Sequence, residues 1–280
     1  MQQNTQEWLE LRKNYIGASD APVILGVSPW RTPYQLWQEK LGIGKAQAEN
    51  SAMRYGKEME EPARRAYEAY TGNLVSPEVV FHPEKKFMMT SLDGLSFDRQ
   101  IAVEIKNSNQ DDHQTARNGK VPEKYYPQVQ HQLACLNLNV LHYFSYRSGD
   151  GVLVEVERDH AFIDRLYQEE GNFWDRVLNL DAPDLSERDY VKIEDEDFIR
   201  LASEWGNLTK QLALLEKKEK EYRAALIAKA DGHNAKGNGI SLTKIVRKGT
   251  VDYKKVPELI GVDLEAYRKK PVESWRILAC

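Results

Sequence analysis

The sequence predicts a mixed α/β protein, one sheet with helices packed on it, followed by a mainly helical extension. Three observations lead there. Apolar residues change from helical spacing to alternation and back, in the order α, β-meander, α, ββ, α. Gly, Pro and Ser/Thr punctuate the changeovers. Beyond residue 196 the pattern becomes one long apolar stripe at steps of three and four.

Thr5 to Arg12 reads as a short helix. Ser19 or Asp20 then offers an N-cap for a second helix, with Pro22 in its first turn and a stop near Gly26. A third helix runs from Thr32-Pro33 to Leu41 and ends at Gly42. Ser51 to Tyr70 is helical by composition and stops at Gly72, although Pro62 is expected to end, restart or kink it. Strand formers then dominate Leu74 to Phe81, Lys86 to Phe97 and Ile101 to Lys106, a β-meander. A helix over Glu123 to Leu138 follows. Strands Val140 to Arg147 and Gly151 to Glu157 are joined by a Ser-Gly-Asp-Gly turn, and an amphipathic helix covers His160 to Leu180.

Residues 1–180 therefore make the first domain, and the Pro-, Asp- and Ser-rich stretch 181–196 a linker. The extension, 197–280, opens with a helix whose stripe is Phe198, Leu201, Trp205, Leu208, Leu212, Leu215, Tyr222 and Leu226, expected to bury itself against the core or another subunit. A basic hairpin is expected over Gly239 to Val246 and Gly249 to Tyr253, then a closing segment anchored by Tyr267, Trp275 and Ile277.

Of 280 residues, 41% are hydrophobic and 29% charged, a globular balance that excludes disordered and fibrous classes. No apolar run approaches the roughly 20 residues of a membrane span, so the expected place is the cytoplasm with no membrane partner. Two cysteines, Cys135 and Cys280, support neither a disulfide framework nor a thiolate zinc site. The net charge of -4 gives no global support for a nucleic-acid partner. It is uneven, though: Lys236 to Cys280 holds ten basic and five acidic residues.

The chemistry centres on Asp93 and Glu104-Ile105-Lys106 in the predicted meander. Alternation on a strand puts Glu104 and Lys106 on one face, with the Ile105 carbonyl between them and its side chain turned into the core. Two carboxylates and a carbonyl make a hard oxygen site suited to Mg²⁺ or Mn²⁺, and a nearby ammonium orients or activates a water. An E-x-K triplet alone is common; its surroundings give it meaning. They are Gly56-Lys57-Glu58-Met59-Glu60 before the sheet, Ser91-Leu92-Asp93-Gly94 with its tight turn, and Tyr126-Pro127-Gln128-Val129-Gln130 after it.

Together these resemble the PD-(D/E)XK nucleases. With Ile16-Gly17-Ala18-Ser19-Asp20 added, residues 5 to 180 are similar to the lambda-exonuclease or YqaJ-type viral recombinase family, on five motifs in family order. The sequence departs from the signature in having Gly94 after the Asp and no Pro before it. The resemblance implies a restriction-endonuclease-like fold and a Mg²⁺-dependent enzyme that degrades linear duplex DNA from 5′ ends, leaving 3′ tails for a single-strand annealing protein. By family analogy the assembly is a homo-oligomer, a trimeric ring. An endonuclease of the same fold and a non-catalytic DNA-end adaptor are the rival readings.

Carried over residue by residue, Asp93 and Glu104 ligate the metal with the Ile105 carbonyl, Lys106 positions or deprotonates the water, and Glu60 assists a second metal. The residues alone do not choose among Glu58, Glu60 and Glu61. Gln128 holds the water or a catalytic side chain, with Gln130 and Gln132 competing for that role. Arg12 and Ser19, the latter at an expected helix N-terminus, form a 5′-phosphate clamp. Lys120 and Lys124, with Lys85 and Lys86, are further candidates for DNA-backbone contacts.

Overall fold

The computed structural model describes residues 5–44 and 51–245. The chain divides into two compact units, Met1–Val191 and Lys192–Cys280.

The first unit is a six-stranded mixed sheet with helices on both faces. Helix α1 (Gln6–Lys13) is capped by the Thr5 hydroxyl, which accepts from Trp8 N–H. A two-residue strand, β1 (Ile16–Gly17), a 3₁₀ turn (Ala18–Asp20) and the four-residue α2 (Ala21–Ile24) follow. In α3 (Pro33–Leu41), Thr32 and Gln35 form a reciprocal capping box, and Gly42 closes the end at φ 69°. Helix α4 (Ser51–Thr71) runs through Pro62 as one helix. The expected break is absent. Pro62 and Glu58 both lie on exposed positions, where water can take the carbonyl that the proline leaves without a donor.

Strands β2 (Ser76–Phe81), β3 (Met88–Leu95) and β4 (Ala102–Asn107) form the expected antiparallel meander. Then come α5 (Gln110–Arg117), absent from the sequence reading, and α6 (Tyr126–Leu136). The latter begins three residues later than expected, with Pro127 in its first turn. Strand β5 (Val140–Arg147) lies parallel to β4, and β6 (Asp150–Glu157) returns antiparallel through Ser148 and Gly149, both at positive φ as a two-residue type I′ turn requires. Helix α7 (His160–Asn179) completes the layer.

The edges of β3 set up the site. Its Met89 and Leu95 each have a partner on β2, whereas the opposite edge is shared: Met88 and Met89 pair with β1, Gly94 and Leu95 with β4. Asp93 sits where that edge passes from one neighbour to the other. The expected tight turn at residues 91–94 is instead strand. Gly94 serves packing, since a Cβ there would stand 2.5 Å from Val75 and 2.8 Å from Val103 side-chain carbons.

Alternation along β4 sorts its two faces. Val103 packs with Tyr67, Val75 and Phe144 on the α4 side, with Ile105 against that cluster. The other face meets a core of Leu92, Val129, Leu133, Leu141, Tyr143 and Ile163. Residues 181–191 belong to the first unit and not to a free linker: Thr32 Oγ1 donates to Asp189, and Arg188 donates to the carbonyls of Ser28 (3.0 Å) and Pro29 (2.9 Å).

The second unit holds α8 (Glu196–Lys229), capped by Asp195, and a hairpin of β7 (Ala235–Gly237) and β8 (Ile240–Leu242). No residue of α8 is buried, so its apolar stripe lacks the expected cover among the described residues of that unit. The hairpin lies earlier than predicted, because Asn238-Gly239, at φ 45° and 77°, supplies the turn. Residues 246–280, with the other expected arm and the anchors Tyr267, Trp275 and Ile277, lie outside the described residues. No helix among the described residues is long and apolar enough to cross a membrane.

Candidate active site

Glu104 is buried at the centre of the site. Its Oε1 accepts from Gln128 Nε2 (2.6 Å) and lies 2.5 Å from Lys106 Nζ; its Oε2 accepts from Gln132 Nε2. The two glutamines are four apart on α6, so one helical face presents both amides to β4. Gln128 thus holds a carboxylate, one of the two roles expected of it. Gln132 acts with it and does not compete. Gln130 points elsewhere, bonding the Glu157 carbonyl (2.8 Å) and the Asp159 N–H (2.9 Å) to tie α6 to the end of β6.

Asp93 approaches from β3, its Oδ2 accepting from the Ile105 N–H at 2.7 Å. Burial first, and Glu104 second, push its carboxyl up to about 8, against the opposing pull of Lys106. For Lys106 burial opposes the charge, but Glu104 and then Asp93 outweigh it and hold the ammonium above its ordinary value. Lys106 Nζ also lies 5.0 Å from the centroid of the Tyr125 ring.

Glu60, on α4, is exposed, and among the described residues no three His, Cys, Asp or Glu side chains cluster as a ready metal cage. Its charge still reaches Asp93, as one of the influences raising that carboxyl.

Arg12 and Ser19 do come together, Arg12 Nη2 donating to Ser19 Oγ at 3.0 Å. Their setting differs from the expected helix N-terminus, because the helix after Ser19 has only four residues and Asp20 at its start makes no capping bond. Asp20 is instead fully buried, accepting from Lys40 (2.6 Å), Arg12 (3.2 Å), Arg31 (3.3 Å) and the Gly17 N–H (3.0 Å). Burial opposes its charge, yet Lys40, Arg12 and Arg31 together hold the carboxyl far below its usual range. Arg31 also bonds Glu39. Three cations against two carboxylates leave this corner with a surplus positive charge. Arg31 and Lys40 are the members that the sequence reading missed, since nothing local marks either as a partner of Asp20.

Lys124 is held by Asp112 (2.8 Å) over the rings of Trp30 and Tyr125. Lys120 is exposed beyond α5, and Lys85 packs over the Tyr167 ring.

Residues 7–139 match the family model of the YqaJ-like viral recombinase domain. This part of the chain is similar to that domain family. The YqaJ protein of Bacillus subtilis (strain 168) is 32% identical over 186 residues, 64% of this chain; the match spans only 58% of that protein's length. Crystal structures of LHK-Exo, an alkaline exonuclease from Laribacter hongkongensis, are also similar. The one in complex with dAMP superposes with TM-score 0.56 and the other with 0.55, each at 28% identity over 63% of this chain and 94% of theirs.

Two carboxylates and the Ile105 carbonyl, with no sulfur or imidazole among them, are the kind of donors that fit a hard divalent cation. Buried Glu104 and half-buried Asp93 face one lysine, so a cation would relieve the repulsion between the two carboxylates that raises Asp93. The amide pair on Glu104 predicts a measurable role. Should this group hold a cation for a nuclease reaction, Gln132→Leu is expected to lower metal affinity and DNA cutting by about 10- to 100-fold while the fold persists. Wild-type cutting by that variant would show that Glu104 needs no second amide.

Proposed function

We propose that the protein is a Mg²⁺-dependent deoxyribonuclease that resects linear duplex DNA from 5′ ends to 3′, supplying single strands to an annealing protein in recombination. The observation that carries this reading is the group at the divided edge of β3, buried Glu104 with half-buried Asp93 and Lys106, in which Glu104 is held by Gln128 and Gln132. The family match and the likeness to an alkaline exonuclease support it.

Asp93, Glu104 and the Ile105 carbonyl would hold the cation, which supplies charge neutralisation to the phosphate and a lowered pKa to its water. Every other part belongs to the chain. Lys106, kept charged by its two carboxylates, is a donor that orients the water or a phosphate oxygen rather than a base that takes the proton. Gln128 and Gln132 fix the plane of the Glu104 carboxylate, so its oxygens need not reorganise as charge develops. The Arg12, Ser19 and Arg31 corner would take a terminal phosphate, giving end selection.

The test is the purified chain with Mg²⁺ on linear, nicked and closed-circular duplex DNA. The proposal expects linear DNA alone to be consumed, with 5′-phosphorylated ends digested faster than 5′-hydroxyl ends and Arg12→Ala shrinking that ratio. Linearised circles would make it an endonuclease, and binding of ends without any cutting an adaptor. Equal rates on both kinds of end, unchanged by Arg12→Ala, would remove the phosphate clamp from the account.

A further inference from the structure

Trp30 is 56% exposed, yet the loop that carries it is fixed. Its own N–H and that of Arg31 donate to Ser28 Oγ (3.3 and 3.4 Å). Arg188 grips the Ser28 and Pro29 carbonyls from the far end of the first unit. A single exposed ring is ordinary; what sets this one apart is that its loop is tied down and that its face is flanked by another ring and a cation.

The indole stacks on Tyr125, centroids 5.9 Å apart and planes 27° from parallel. Lys124 Nζ lies 5.4 Å from the Trp30 centroid and 5.2 Å from that of Tyr125. Tyr125 in turn carries Lys106 over its ring, and Arg31, the next residue after Trp30, reaches Asp20 beside Arg12 and Ser19. Trp30 therefore links the corner assigned to the terminal phosphate with the group assigned to the scissile one. A cavity of about 540 Å³ opens beside it, with Val27, Pro29 and Pro122 as apolar walls and Asp112, Thr115, Glu123 and Lys124 as polar ones. A flat heteroaromatic group matches that combination of a ring face and apolar walls, and Lys124 and Arg31 flank the ring for an attached phosphodiester.

We propose that Trp30 is a stacking platform for an unpaired nucleobase of the strand being cut, a proposal that rests on the nuclease reading above. The strand is then gripped by a base between the two phosphate sites, which fixes how far its end advances. Stacking needs no particular base, so the site is indifferent to sequence.

The experiment is a coupling cycle between protein and DNA on the full chain, with Ca²⁺ in place of Mg²⁺. Binding is measured by fluorescence anisotropy to linear duplexes whose 5′-ended strand is intact or carries one abasic residue at its first, second or third position. Wild type is expected to lose affinity on the order of tenfold for one abasic position. Trp30→Ala should lose as much on intact DNA and then be indifferent to that lesion, whereas Trp30→Phe keeps most of the affinity. An unchanged melting temperature guards against misfolding. Equal abasic penalties in wild type and Trp30→Ala, or no loss in Trp30→Ala, would overturn the platform while leaving the nuclease reading intact. A wild type that neither binds nor cuts DNA would overturn both.

Discussion

Glu104→Ala is expected to lower DNA cutting by about a thousandfold or more, the largest loss of any single substitution in the site. The carboxylate has three partners, Lys106, Gln128 and Gln132, and shares its negative charge with Asp93. Its removal withdraws one of the two carboxylates that would hold the cation, the acceptor that keeps Lys106 in place and the group on which two α6 amides converge. Losing several kcal/mol of stabilisation at the transition state corresponds to that factor. Glu104→Gln separates charge from shape, since an amide of the same size can keep part of the network and still lose the charge. The measurement is single-turnover cleavage of linear DNA with Mg²⁺, beside a binding titration and a melting curve. Cutting at the wild-type rate by folded Glu104→Ala would sink the site assignment outright.

Much of this site was legible because its signals are local. Alternation along one strand places Glu104 and Lys106 on one face whatever surrounds them, and the structure puts Val103 and Ile105 on the other. Caps were equally plain, as at Thr5, Thr32 and Gly42. Gln132 was within reach too: the four-residue step from Gln128 gives both amides the same helical face. Helix α5 carried signals that went unread, namely Asn109 as cap, Asp111 and Asp112 in the first turn and Arg117 in the last.

What stayed hidden depends on pairs distant in sequence. Strand β1 has two residues, too short for any period, and exists because Met88 and Met89 leave one edge of β3 free there. Asp20 reads as an ordinary helix cap until Lys40, twenty residues on, comes to bond it along with the carbonyls of Arg12 and Tyr15. Glu60 shows the converse. A family pattern singles it out, but only the placement of α4 decides what it reaches, and its charge bears on Asp93. The stripe on α8 poses a related problem. Periodicity fixes which residues need cover and says nothing about what covers them.

The buried pair His131 and Glu170 should make the stability of the domain fall as the pH rises. His131, on α6, has both ring nitrogens engaged: Nδ1 lies 2.8 Å from Glu170 Oε1 on α7, and Nε2 lies 3.0 Å from the Met89 carbonyl. Both residues are fully buried, and two acceptors facing one ring favour the doubly protonated form. Burial opposes that charge, but Glu170 outweighs it and raises His131 well above its ordinary value. A histidine raised on folding contributes stability that is complete below its unfolded value, near 6.5, and is lost as the pH climbs through the folded one. Glu170→Gln removes the charge that holds the imidazolium. It is expected to cost about 3–5 kcal/mol at pH 6, as breaking a buried pair does. The gap from wild type should then narrow in alkaline solution, because the wild-type protein loses the same contribution there. Denaturant unfolding of both proteins across the range from pH 6 upward measures it, and a gap independent of pH would show that His131 is buried neutral.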